Sequence, residues 1–379
     1  MSRGPVTEIT LDSLEALAIG AGILGTGGGG SPYLGKVRCR VLMTELGVTI
    51  PVHQVGDIDD DAVVSSVGGI GAPTVGIERP GEGTELAKGV RVLEQYTGKQ
   101  ATHMISAEIG GGNAIAPLIA AIQLGLPVVD GDGMGRAFPE LQMDTYMIYG
   151  LKPTPNVLTG THGHSVIFDN ITDAKDLERY ARAIAVGMGG GAGGSGPFMS
   201  GAEVKDTAIP GTLTLAIRIG EAVIDAREKH EDPIAATLSV TGGQVLFTGK
   251  ITDVERRTVG GFALGTLEMA GTHDDTGDTL SIDFQNENLV ARNSAGEVLC
   301  SVPDLICIVH AETADPIATE ELRYGLRVAV LGIPAPARIA TPEALEVVGP
   351  AAFGYPDVAY KPLPGTYGSG LQMSDNSGT

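Results

Sequence analysis

The sequence predicts two structural units, an α/β unit with a mostly parallel sheet followed by a small β barrel or sandwich. The chain has 379 residues, more than a single hydrophobic core usually serves. In the first half, apolar runs typical of buried strands (62–67 and 102–107) alternate with helical patterns (84–95 and 114–124). Such alternation is typical of a parallel sheet covered by helices, whereas the short β-branched segments after residue 230 favour a barrel or sandwich.

The first element is an amphipathic helix. Asp12 is placed to cap it, Glu15 follows three residues later, and apolar residues share one face up to Gly25, where glycines end the helix. A short buried strand at 127–129 is predicted to end at Asp130. Two further helices are predicted at 173–186 and 211–228, and the glycine run between them interrupts the chain. The predicted β segments are 237–240, 244–250, 257–267, 279–283, 288–293, 297–300, 305–310 and 327–331.

These patterns divide the chain into four predicted regions. They are an α/β domain with glycine-rich loops (1–165), a helical connection packed on it (166–235), a β-rich barrel-like domain (236–345) and a C-terminal tail (346–379).

Composition narrows the class of partner. The formal net charge is −21, and repulsion from phosphate disfavours nucleic acid and anionic membranes. The N-terminus lacks the apolar core of a signal peptide, and no apolar run is long enough for a membrane span. Cys39, Cys300 and Cys307 show no CxxC spacing and are expected to be free thiols. We therefore expect a cytoplasmic protein, although an acidic surface also serves solubility alone.

Glycine is unusually abundant, with 56 residues, and it is clustered at the ends of predicted elements. The clusters at 25–35, 108–113 and 130–136 are expected to converge on one cleft, because loops at element ends commonly build sites. The run at 25–30 formally fits a dinucleotide motif, but a helix precedes it where that motif needs a strand. We expect it to hold an anion or a developing oxyanion instead, with substrate-binding positions at Thr26, Gly27, Gly28 and Gly29.

Acidic residues follow two predicted strands. Glu108 is interpreted as a general base or as an acceptor for loop N–H groups, and Asn113 as a substrate-orienting amide or a helix cap. Neighbouring carboxylates raise one another's pKa and an arginine lowers it, so one site can hold both an acid and a base. The candidates after the second strand are Asp130, Asp132 and Glu140 as catalytic groups and Arg136 and Asp144 as substrate-binding groups. The alternative is a loop held together by salt bridges to Arg136.

No cofactor is expected, with zinc as the open alternative. His162 and His164 would share a face of an extended segment. Zinc would then need a third ligand, for which His103, Glu108, Asp130 and Asp132 are the candidates.

Taken in order, several segments resemble the S-methyl thiohydantoin desulfurase family over residues 12–363. In the first half these are LGTGGGGSPYLG, SSVGGIGAPTV, AEIGGGNAIAPL and LPVVDGDGMGRAFPELQM. In the second half they are GKITDVERRTVGGFALGT, IDFQNENLVA, VPDLICIV, ELRYGLRVAVLGIPAP and VGPAAFGY. The resemblance implies a three-layer α/β domain followed by a β-barrel-like domain. It also implies hydrolytic release of methanethiol from an S-methyl thiohydantoin ring, and a cyclic small molecule as the partner.

Combined with the motifs, this resemblance gives a working hypothesis. Asp130 or Glu108 takes a proton from water, Asp132 or Glu140 donates one, and Arg136 holds a substrate carboxylate or the acid pair. Two alternatives stay open: a non-catalytic binding or regulatory subunit of a hydantoinase/oxoprolinase-type system, and an ATP-assisted ring opener, which the missing phosphate loop disfavours. The protein is also expected to form a homo-oligomer.

Overall fold

The computed structural model describes residues 4–71, 78 and 80–371. Its strands are β1 (Glu8–Ile9), β2 (Ile50–Gln54), β3 (Val63–Gly71), β4 (His103–Ser106), β5 (Val128–Asp132), β6 (Asn156–Thr159), β7 (Ser165–Phe168), β8 (Gly191–Ser200), β9 (Ile209–Pro210), β10 (Gln244–Val259), β11 (Phe262–Gly271), β12 (Thr279–Gln285), β13 (Glu287–Asn293), β14 (Val298–Ser301), β15 (Leu305–His310) and β16 (Arg327–Ile333). Its α-helices are α1 (Ser13–Leu24), α2 (Pro32–Leu46), α3 (Glu85–Thr97), α4 (Ala116–Leu124), α5 (Thr145–Ile148), α6 (Ala174–Gly187), α7 (Gly201–Thr207), α8 (Thr212–Glu228), α9 (Pro233–Thr241) and α10 (Pro342–Val348).

The first unit is a mixed sheet with helices. Its strands run in the order β1-β2-β5-β4-β3-β8-β6-β7, and β9 pairs with β5. The pairs β2–β5, β5–β4 and β4–β3 are parallel, whereas β3–β8 and the outer pairs are antiparallel. The α/β class is therefore confirmed, with the parallel part restricted to the centre of the sheet.

The second unit is an antiparallel half-barrel sheet, as the sequence predicts for the β-rich region. Its order is β14-β13-β12-β11-β10-β16-β15. One face of β15 and β16 joins the main hydrophobic core of the first unit through Leu305, Cys307 and Leu331. The two sheets are therefore packed through one continuous core. No helix in the described ranges is long and apolar enough to cross a bilayer.

Helices α1 and α8 pack with unusually close backbones. A Cβ on Gly20 would lie 1.8 Å from the carbonyl oxygen of Ala216, and one on Gly220 would lie 1.8 Å from that of Ala16. Only glycine permits this approach, which anchors α8 beside the end of β5.

Four sequence-based predictions for individual elements are wrong. The segment 237–240, predicted as a strand, lies in helix α9. Asp232 caps the N-terminus of this helix, Pro233 is its first residue, and Gly242 ends it in the left-handed conformation. The glycine run expected to interrupt the chain largely forms β8, which β3 pairs along its length. Asp12 makes no side-chain capping bond to α1. Strand β5 continues through Asp132, where the sequence predicted a loop after Asp130.

Candidate active site between the two sheets

A cavity with a volume of about 420 Å³ lies at the carboxyl ends of β3 and β4. Ligand sites in α/β sheets commonly occupy this edge. The turn between β12 and β13 closes it from the second unit, with Asn286 and Glu287 in its lining. The three glycine clusters converge there, as predicted. They contribute Gly29, Gly30 and Ser31 from the first, Glu108, Gly112 and Asn113 from the second, and Met134 from the third.

One cavity wall is bare backbone. Gly68, Gly69 and Gly71 of β3 pair with glycines of β8, and all three line the cavity. Both strands therefore present hydrogen-bonded peptide planes where side chains would otherwise fill the space. Leu34, Ile70, Leu158 and methionine side chains supply apolar surface elsewhere, so the cavity suits a small, flat and largely apolar ring.

Glu108 is one of two predicted catalytic residues, with Glu140, that line this cavity. Glu108 is 6% exposed. Its Oε1 accepts a hydrogen bond from Asn113 Nδ2, and its Oε2 accepts one of 3.0 Å from the backbone N–H of Phe138. Burial raises the pKa of Glu108 to about 7, and the negative charge of Asp132 raises it further. The two hydrogen bonds and the positive charge of Arg136 act in the opposite direction and lower the pKa. At neutral pH, both its ionised and its protonated form are therefore populated.

Glu287 is the residue that sequence reasoning missed. It begins β13, is 2% exposed and lines the same cavity. Its Oε2 is buried without a hydrogen-bond partner among the described residues. Burial raises the pKa of Glu287 well above its usual value, and the negative charge of Glu108 adds to the increase. The positive charge of Arg136 and a hydrogen bond from the backbone of Gly29 oppose it. Burial in this cavity therefore favours the protonated form of Glu287.

The two carboxyl groups thus form an interdomain pair, and burial raises the pKa of both. Glu108 comes from the first sheet and Glu287 from the second. Carboxyl groups whose environments push their pKa values apart can act as base and acid in one site. This arrangement supports general acid–base chemistry at neutral pH.

The predicted pair Asp130 and Asp132 is buried on β5, and neither lines the cavity. Asp130 accepts hydrogen bonds from the backbone N–H and the hydroxyl of Thr214, near the start of α8. Oδ2 of Asp132 accepts from the backbone N–H groups of Ile109, Met134 and Gly135. The geometry gives both aspartates a role in holding loops and a helix, through Thr214 and backbone N–H groups and not through the salt bridges to Arg136 that the sequence left open as the alternative.

Arg136 is also outside the cavity lining and is completely buried. It donates to the carbonyls of Ala137, Asn288, Pro303 and Asp304 and to the hydroxyl of Thr26. Because a guanidinium has five N–H donors, none is left for a substrate carboxylate. Arg136 instead ties the glycine loop to the second sheet, and Thr26, held at φ 52°, is part of that tie.

The remaining predicted positions divide between the cavity and its supports. Gly29, Glu140 and Asp144 line it. Asp144 caps α5 by accepting a hydrogen bond from the backbone N–H of Met147. Burial raises the pKa of Asp144 to about 7, although that hydrogen bond opposes the increase. Gly27 packs behind the lining against Thr319 and Asn288, and Gly28 packs against Glu287.

The loop N–H groups are largely occupied. The backbone N–H of Thr26 donates to the carbonyl of Ile23, and that of Gly28 donates to Gly25. These two groups are therefore not available to an oxyanion, and an oxyanion role for the rest of this loop stays a prediction.

The histidines do not assemble a zinc site. His162 and His164 lie exposed at the turn between β6 and β7, with ring centroids 6.4 Å apart. His103 contacts His53 instead, at 2.9 Å between ring nitrogens. In the described parts of the chain, no three His, Cys, Asp or Glu side chains are grouped as metal ligands, so the zinc alternative lacks its third ligand.

The fold is that of a two-domain protein with a cavity between an α/β sheet and an antiparallel half-barrel. Residues 12–170 match the family model described as "S-Me-THD-like, N-terminal domain", and residues 172–363 match "S-Me-THD-like, C-terminal domain". The chain therefore belongs to the S-Me-THD-like family, which confirms the resemblance noted in its motifs.

A similar solved structure is a crystal structure of a protein from Chromobacterium violaceum. It is 25% identical, with a TM-score of 0.78, and the match covers 94% of this chain and 100% of that one. The comparison with curated proteins finds no match.

Proposed function

We propose that this protein is a hydrolase that removes methanethiol from an S-methyl thiohydantoin or a related hydantoin-like ring. The observation that carries the proposal is the carboxyl pair Glu108 and Glu287, which line one cavity from two domains. Membership in the S-Me-THD-like family supports the substrate class. The glycine-walled cavity supports a small flat ring.

In the proposed reaction, ionised Glu108 takes a proton from a water molecule as that water attacks the ring carbon bearing sulfur. The C–O bond forms, and the C=N electron pair moves to nitrogen, which takes a proton from Glu287. Collapse of the tetrahedral intermediate then breaks the C–S bond, and the thiolate leaves as methanethiol with the proton held by Glu108. The net change is addition of one water and loss of one methanethiol, which leaves a ring carbonyl and an N–H.

Protein side chains alone satisfy the acid–base requirements of this scheme. Glu287 must end the cycle reprotonated, and the hydroxyl proton of the intermediate is the proton that returns to it. General acid–base catalysis supplies about 10²–10⁴-fold in rate. Positioning of the substrate and the attacking water in the cavity must supply the rest.

The direct test is release of methanethiol. Purified protein is incubated with an S-methyl thiohydantoin, and free thiol and the hydantoin product are quantified in parallel. The proposal expects one thiol per hydantoin. Saturable binding without thiol release would favour the alternative of a binding or regulatory subunit.

The carboxyl pair predicts a bell-shaped dependence of kcat/KM on pH. Activity should rise with pH through about 7, because the pKa of Glu108 is raised to about 7 mainly by burial and the base must be ionised. It should fall at alkaline pH, where Glu287 loses the proton that it donates. The two apparent pKa values of the profile belong to the coupled pair of carboxyl groups and not to either residue alone. Measurement of kcat/KM from pH 5 to 10 checks this, and a flat profile would contradict it.

Gly28→Ala is expected to reduce turnover strongly while the fold survives. A Cβ at Gly28 would lie 1.8 Å from Oε1 of Glu287, so the carboxyl must move. The backbone of Gly28 is not in the left-handed region, so alanine itself is tolerated there. Gly56→Ala is the matched control, since its Cβ would meet nothing within 4 Å. Equal turnover in the two variants would show that the position of Glu287 does not matter.

A further inference from the structure

Asn113 lies between the wall of β3 and Glu108. It belongs to a short 3-10 turn, Gly111–Ala114, at the cavity edge. Its Oδ1 accepts a hydrogen bond of 2.7 Å from the backbone N–H of Gly69. Its Nδ2 donates to Oε1 of Glu108 at 2.5 Å. The turn itself is held by Ser106, whose hydroxyl is 3.0 Å from the carbonyl oxygen of Asn113.

The contact with Gly69 fixes which way the amide faces. A backbone N–H can only donate, so the side-chain atom that faces it must be the carbonyl oxygen. The NH₂ group of Asn113 is therefore directed at Glu108. An ionised carboxylate accepts from two donors, here Asn113 and the backbone N–H of Phe138, and such charge-assisted bonds favour the ionised form.

We propose that Asn113 is a positioning residue, which fixes the direction of Glu108 and keeps it ionised beside a second buried carboxyl group. This inference rests on the proposed function for its role in turnover. It differs from the sequence-based interpretation, in which the Asn113 amide orients the substrate. Because Oδ1 and one N–H of the Asn113 amide already have protein partners, the proposed action of Asn113 on the reaction is through Glu108.

The charged surroundings of Glu108 show why this donor matters. Glu287 faces it from β13, Asp132 from β5 and Arg136 from the segment after β5. Two of these three groups are acids, and the guanidinium of Arg136 is committed to carbonyls and Thr26. Asn113 and the backbone of Phe138 are the hydrogen-bond donors found on the carboxylate among the described residues.

The test compares Asn113→Ala and Asn113→Asp with wild type in kcat, KM and the pH profile. Alanine removes one donor, and aspartate also adds a negative charge beside Glu108. Both should move the acid limb of kcat/KM to higher pH, aspartate further than alanine. The value of kcat at pH 7 should fall about tenfold or more, as expected for loss of a hydrogen bond to a charged group, while KM changes little. Asn170→Asp, an exposed site with the same change, should leave the profile unmoved.

Two outcomes would overturn the inference. A raised KM with an unmoved acid limb would mean that Asn113 binds substrate directly. A lowered melting temperature with an unchanged pH profile would mean that its role is only structural.

A titration without substrate separates this inference from the proposed function. In full-length protein with ¹³C-carboxyl-labelled glutamate, the signal missing in Glu108→Gln identifies Glu108. Its NMR titration midpoint should rise in Asn113→Asp whether or not the wild type releases methanethiol. An unmoved midpoint would overturn the inference even if the wild type is active, and a wild type without activity would contradict the proposed function alone.

Discussion

Replacing Glu287 by glutamine is expected to lower kcat by at least about 10²-fold, because the variant loses the proton donor. Glu108→Gln should have an effect of similar size through loss of the base. The shape of the cavity is preserved in both cases, since glutamine closely matches glutamate in size. Steady-state methanethiol release at pH 7 measures the effect. Activity within a few-fold of wild type in both variants would remove the carboxyl pair from the mechanism.

Thermal stability should behave differently from turnover in these variants. The pKa of Glu287 is raised in the folded state by burial, so ionisation favours unfolding as pH rises above the unfolded pKa of about 4.3. Glutamine removes that penalty, and the melting temperature of Glu287→Gln at pH 8 should equal or exceed that of wild type. Glu94→Gln is the control for the mutation itself, because Glu94 is 5% exposed and lies outside the cavity lining. It should keep its turnover.

Arg136→Met is expected to cause the largest loss of stability, at least about 3 kcal/mol. The substitution leaves four carbonyls and Thr26 without their donor in a fully buried region, and each unsatisfied buried group costs about 1–3 kcal/mol. Folded proteins are stable by only about 5–15 kcal/mol, so the variant is expected to require purification at low temperature. Urea unfolding, followed by circular dichroism, measures the change.

The control for this experiment is Arg179→Met, at an exposed arginine whose partner Asp176 is also on the surface. Surface ion pairs contribute little, so its urea midpoint should stay near that of wild type. Similar midpoints for the Arg136 and Arg179 variants would contradict the interdomain role of Arg136.

The positions of the glycine clusters in the sequence made one part of the site predictable. Glu108 and Asn113 flank a glycine cluster after a strand, and the carboxyl ends of parallel strands share one edge. Glu287 has no such signal. It begins β13 after Asn286, whose φ of 59° forms the turn, and only the packing of the second sheet brings it to Glu108. The sequence signal for Glu287 was weak: an acidic residue, in the segment QNEN, between two predicted β segments.

Strand β8 shows a limit of local propensity. A run of glycines has no intrinsic preference for a strand, and it becomes one because β3 offers matching glycines such as Gly68 and Gly69. Asp130 and Asp132 show a second limit. Both look like loop acids in sequence, but pairing with β9 extends β5 through them. Tertiary contacts that no local pattern records decide both cases.

The most direct test of the central claim is a single-turnover reaction with an S-methyl thiohydantoin in H₂¹⁸O. If water attacks the ring carbon while Glu108 and Glu287 move the protons, mass spectrometry should find one ¹⁸O atom in the new hydantoin carbonyl and one methanethiol per ring. With Glu287→Gln, both products should form at least about 10²-fold more slowly. Methanethiol without ¹⁸O in the ring, or equal yields from wild type and Glu287→Gln, would contradict the account.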